Sequence, residues 1–210
     1  MKKVKIYGQQ NSGTIYLEWL IKRNLDVELD ESPELGWKHR LAPEKDEIPD
    51  QHRESTLFIC LVKNPYSWLL SMHKRPYFHE SLKKLSFTDF TRFSFGDYRN
   101  PVVMWNKKIG SFVELGDYVN HHTMVRYEDL LTDIAGSLNN LTEKFGIPKP
   151  TIYKDIKNLL TNSHGIKTQK FHRDFYLEEK WKKALRPQHL ENINGFLDKD
   201  LMHTLNYEIL

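Results

Sequence analysis

The run TLFICLV, residues 56–62, constrains the fold more than any other stretch of the chain. It has the length of a strand and is apolar at almost every position, so both of its faces need cover. A strand with one face in water would alternate apolar and polar residues instead. The arrangement that covers both faces is a mainly parallel sheet held between layers of helix, and the rest of the sequence supplies the parts. Residues 4–7 read as a second buried strand, and residues 12–23 carry Ile15, Leu17, Trp19 and Leu20 at mostly helical spacing. Residues 27–29 form a short strand, and Pro65 is placed to open a helix through Trp68, Leu69 and Met72. Residues 87–93 and 102–115 read as helices and TMVRY, residues 123–127, as a strand. Residues 128–145 read as one amphipathic helix stopped by Gly146 and Pro148, and residues 187–205 as a last helix. The expectation is an α/β chain with a single domain over residues 1–210.

Composition narrows the function. Hydrophobic residues make up 39% and charged residues 28% of the 210, with a mean hydropathy of −0.63, which fits a folded chain with a polar surface. No apolar stretch has the length of a membrane span, and Met1, Lys2 and Lys3 lead directly into a strand rather than a signal-peptide core, so a cytoplasmic protein is expected. A net charge of only +3 argues against a broad nucleic-acid-binding face, while a local basic pocket for a small acidic ligand stays compatible. The single cysteine, Cys60, lies inside the apolar run and is expected to be buried and inert.

Residues 8–13 begin like a phosphate-binding loop, with Gly8, four intervening residues and Gly13 between a strand and a helix. Backbone N–H groups and a helix N-terminus converge in such a turn and suit an oxyanion. Thr14 and Ile15 stand where a nucleoside triphosphatase needs Lys and then Ser or Thr; Ile15 cannot ligate a metal, so ATP hydrolysis and kinase chemistry are disfavoured. The same turn can also simply join strand to helix. A second constellation supports the ligand reading: Lys63 ends the TLFICLV strand and Ser71 follows on the next helix, where a cation and a hydroxyl could grip one phosphate.

In these landmarks the chain resembles the sulfotransferases that use 3'-phosphoadenosine 5'-phosphosulfate (PAPS), which have a modified P-loop fold. Gln10, Asn11, Ser12, Gly13 and Thr14 are similar to the family's 5'-phosphosulfate loop, with Ile15 completing the cofactor-binding segment. Lys63, Asn64, Pro65 and Ser71 are similar to its 3'-phosphate motif, and VRYEDLL (125–131) and the closing LMHTLNYEIL to later family segments. The resemblance implies a three-layer P-loop-type fold, PAPS as cosubstrate with 3'-phosphoadenosine 5'-phosphate (PAP) as product, no metal, and a small-molecule or glycan acceptor bearing a hydroxyl or amine. It also implies His39 as general base and Lys38 as electrostatic partner, within GWKHRLAP (36–43). A C-terminal lid is implied in residues 164–183, where Lys170, His172 or Arg173 would reach the 3'-phosphate. Trp37, Tyr77, Phe78 and Trp105 could line the acceptor pocket or belong to the core, and Tyr16 could lie near the adenine or simply pack. Two positions depart from the pattern: Asn11 stands where a Lys or Arg is common, and Lys63 where an Arg is usual. The competing reading is a nucleotide-binding protein without catalysis.

Overall fold

A computed structural model of the chain describes residues 2–76, 80–155, 159–161, 168–170 and 173–210. Four strands, β1 (Lys2–Gly8), β2 (Val27–Leu29), β3 (Leu57–Val62) and β4 (His122–Arg126), form one sheet in the order β2-β1-β3-β4, every pair parallel. The connections carry α1 (Thr14–Asn24), α2 (Asp50–Ser55), α3 (Pro65–Lys74), α4 (Phe87–Arg92) and α5 (Pro101–Glu114). After β4 come α6 (Tyr127–Thr132), α7 (Ile134–Phe145), an antiparallel pair β5 (Leu159–Thr161) and β6 (Thr168–Lys170), then α8 (Arg173–Leu177), α9 (Pro187–Asn194) and α10 (Lys199–Thr204).

The period of two in β3 explains its composition. Phe58, Cys60 and Val62 face one core, built with Tyr7 and the helices α3 and α5, while Leu57, Ile59 and Leu61 face the other, built with α1, α6 and α7. All six are buried, which is why no polar residue interrupts the run. Cys60 lies inside this layer, and burial pushes its thiol pKa up.

Two expected helices are divided. The helix over 128–145 is broken at Asp133, whose carboxylate accepts from the Gly136 N–H and starts α7 afresh. The last helix divides in the same way into α9 and α10, where Asp198 caps the second by accepting from the Leu201 N–H. The polar stretch 30–55 holds short 3₁₀ turns at Pro33–Leu35 and Lys45–Glu47 together with α2. Its first half runs along the edge of β1 that β2 leaves uncovered: the Tyr7 hydroxyl donates to Leu35 O (2.6 Å), the Lys5 ammonium to Gly36 O (2.7 Å), and the Gly8 N–H to Lys38 O (3.0 Å). No helix among the described residues is long and apolar enough to cross a membrane.

Candidate functional site at the carboxyl ends of the strands

The loop after β1 has a shape that its glycines alone permit. Gly13 has φ +99, and a Cβ there would lie 2.5 Å from the Tyr127 ring; a Cβ on Gly8 would meet Thr14 Cγ2 at 2.6 Å. Asn11 takes a left-handed φ of 61, which asparagine tolerates better than most residues. Gln9 O accepts from both the Ser12 N–H (3.2 Å) and the Ser12 hydroxyl (2.6 Å), and Gln10 O accepts from the Trp68 indole (2.8 Å). The Ser12 proton is therefore spent on shaping the loop, and among the described residues Thr14 is the loop hydroxyl that stays free to donate. Among the described residues no side chain caps α1, and its first turn carries no acidic residue, so the positive end of an 11-residue helix is left open to an anion.

Beside that helix end lies an unusual cation. Lys63 is 2% exposed, and its ammonium donates to Ser71 Oγ at 2.9 Å and reaches Asn11 O at 3.4 Å. It also lies over two rings, 4.2 Å from the centroid of Tyr176 and 5.1 Å from that of Tyr127. No carboxylate among the described residues comes within ion-pair distance. Burial lowers its pKa, opposed by Tyr176 and by the more distant Glu128. The Tyr176 hydroxyl lies 3.5 Å from Ser71 Oγ; burial raises its pKa, but the Lys63 charge and the two side-chain contacts bring it below the usual tyrosine value. Asn11 turns its amide away from the loop, donating to Met72 Sδ and Arg75 O at 3.0 Å each.

His39 stands on the other side of the β1 end. Its Nδ1 lies 2.5 Å from Gly8 O, an atom that can only accept, so Nδ1 carries the proton and Nε2 keeps its lone pair. Burial lowers the imidazole pKa to about 4; the Gly8 carbonyl opposes this, and Lys38 and Lys108 add to it. Trp37 packs edge-on against the ring at 4.8 Å and is 51% exposed. A cavity of about 310 Å³ opens beside this turn, with Trp37, Lys38 and Glu18 in its walls.

The chain also resembles solved proteins in its path through space. Mouse sulfotransferase SULT7A1, solved in complex with PAP, superposes with a TM-score of 0.62 at 15% identity, covering 99% of this chain and 89% of that one. A sulfotransferase from Alicyclobacillus acidocaldarius gives 0.58 at 9% identity over 99% and 97%. The fold is that of the sulfotransferases. No family model matches the sequence, and no curated protein matches it either.

Within this sulfotransferase fold, Gln10 to Ile15, Lys63, Ser71 and His39 lie together at the carboxyl ends of β1 and β3. Two expected residues are engaged elsewhere. The Lys38 ammonium pairs with Glu18 of α1 at 2.6 Å, because successive residues of a turn point apart. Arg173 binds Asp155 (3.0 Å) and Leu131 O rather than Lys63 or Ser71, and Asp155 also accepts from the Tyr16 hydroxyl at 3.2 Å. Tyr16 itself is buried. Trp105 is wholly buried, its indole donating to Lys63 O at 3.1 Å, so it is core and not pocket wall. The Lys170 side chain and residues 77, 78 and 172 lie outside the described residues. Sequence reasoning passed over Tyr176 and Lys108, and read Tyr127 only as a strand end; the segment 164–183, rich in cations and aromatics, is the signal that pointed near Tyr176.

Proposed function

We propose that this chain is a PAPS-dependent sulfotransferase, moving a sulfuryl group to a hydroxyl or amine of a small-molecule or glycan acceptor and releasing PAP. The observation that carries this reading is Lys63: a buried ammonium without a carboxylate partner among the described residues, paired with a hydroxyl, and set beside an uncapped helix N-terminus. A buried charge is costly unless something pairs with it, and the complement of this arrangement is a molecule with two phosphate groups. Lys63 and Ser71 would hold the 3'-phosphate. The loop from Gln10 to Thr14 would hold the 5' end, with backbone N–H groups aimed at charge that grows as the bond to sulfur breaks.

His39 supplies the base. Its Nε2 would take the proton from the acceptor oxygen or nitrogen as that atom bonds to sulfur, while the electron pair of the broken S–O bond leaves on the 5'-phosphate. The Nδ1–H to Gly8 O bond orients the ring, and positioning supplies much of the rate.

The orientation of Asn11 favours a second reading, nucleotide binding without transfer, since its amide is turned to Met72 and Arg75. Calorimetry with PAP and with ATP separates the classes, and PAPS turnover over an acceptor panel separates the first two. Tight PAP binding with turnover is expected; tight binding without turnover favours the second reading, and preference for ATP with Mg²⁺ overturns the first and reinstates a nucleotide kinase. Lys63→Ala is expected to weaken PAP binding by about 1.5–3 kcal/mol, the range for a hydrogen bond to a charged group, and unchanged affinity would remove Lys63 from the site.

A further inference from the structure

One face of α5 reaches both halves of this site. Trp105 donates from its indole to the main-chain carbonyl of Lys63 at 3.1 Å, and one turn further on the Lys108 ammonium donates to the main-chain carbonyl of His39 at 2.6 Å. The attachment continues beyond Lys108. Ser111 Oγ accepts from the Ala42 N–H at 3.0 Å, and the Tyr118 hydroxyl, just past the helix, donates to Pro43 O at 2.8 Å. Residues 39–43 are thus fastened to α5 and its C-terminal extension, much as residues 35–39 are fastened to β1.

Lys108 differs from an ordinary surface lysine. It is half-buried, burial lowers its pKa, and among the described residues no carboxylate lies within ion-pair distance of it. Packing alone would be served as well by a methionine, and a carbonyl alone by a neutral donor. The feature that neither would supply is a positive charge at the turn that carries the imidazole.

We propose that Lys108 is a positioning residue for His39, fixing its turn to α5 through the main-chain carbonyl and placing a like charge at the turn that carries the imidazole. The proposal rests on the reading of His39 as the base. The charged groups facing the ring are Lys38 from its own turn, already paired with Glu18 of α1, and Lys108 from α5; β1 presents the Gly8 carbonyl. Lys108 is therefore the cation next to His39 without a carboxylate partner among the described residues.

The test follows the His39 ring by NMR across pH in the full chain, for Lys108→Met, Lys108→Gln and Lys108→Arg. Removing the charge is expected to raise the His39 titration midpoint by roughly a few tenths of a pH unit, since burial contributes most to its depression and Lys38 adds more than Lys108. Arg should keep it near the parent value. The acid limb of kcat/KM should move in the same direction while PAP affinity stays the same, which a general loosening of the fold would not produce. If Met fails to fold, Gln carries the measurement. A midpoint unmoved in the charge-free variants, or shifted equally by Arg, overturns the proposal. If His39→Ala keeps full turnover, the base assignment falls, and the NMR result still decides whether Lys108 sets the charge of that ring.

Discussion

His39 is a histidine whose surroundings have already decided its charge. Its pKa falls from 6.5 to about 4 because burial opposes the cation, so between those values the unfolded chain takes up a proton that the folded chain refuses. Stability contributed by the neutral ring is therefore present above about pH 6.5 and lost as pH falls toward 4, by about 3 kcal/mol in all. His39→Gln is expected to flatten that part of the stability profile, measured by denaturant unfolding from pH 4 to 7; an unaltered slope would mean that the ring is solvated. At this scale the sequence was legible where chemistry is local. Lys63 and Ser71 are spaced so that a strand end and the second turn of the next helix bring them to 2.9 Å. It was illegible where partners come from far along the chain. Tyr176 meets Ser71 across 105 positions and Lys108 meets His39 across 69, and no local pattern announces either contact.

Among the elements, α3 links local structure most directly to the site. Asn64 caps it by accepting from the Tyr66 and Ser67 N–H groups at 3.0 and 3.4 Å, Pro65 opens it, and Ser71 rides on its second turn. Asn64→Ala is expected to destabilise the protein by about 1 kcal/mol and to weaken PAP binding as well, because the cap sits between Lys63 and the helix that carries Ser71. Binding unchanged at equal loss of stability, read by calorimetry and denaturant unfolding, would separate cap from site. Strands β1 and β3 and the opening of α3 were readable from apolar runs and a proline. The breaks at Asp133 and Asp198 were hidden because an aspartate inside a periodic pattern reads equally as a polar helix face, and β5 and β6, three residues each, are too short to show a period.

At the scale of the whole molecule, the end of the chain returns to the site's foundations. The Tyr207 hydroxyl donates to Glu128 Oε2 at 2.8 Å, and the Asn64 N–H donates to Oε1 of the same carboxylate at 3.0 Å. Burial raises the Glu128 pKa in spite of these donors and the Lys63 charge, so each donor matters. Arg126 lies over the Tyr207 ring at 4.4 Å, and Tyr66 and Asn194 hold Leu210. Tyr207→Phe should lower stability by about 1–3 kcal/mol, the cost of a buried acceptor left unsatisfied, and Glu128→Gln should recover part of the loss. A neutral outcome in thermal unfolding would show that water replaces the phenol. The loop after β1, the turn that carries His39, Lys63, Tyr176 and the tail are drawn from distant parts of the polypeptide and meet only once the parallel sheet has closed. Contacts of such span are slow to form, so no early or partial state of this chain should bind the proposed nucleotide. A ligand that fits would act as a latch on the finished molecule, raising its melting temperature as concentration rises.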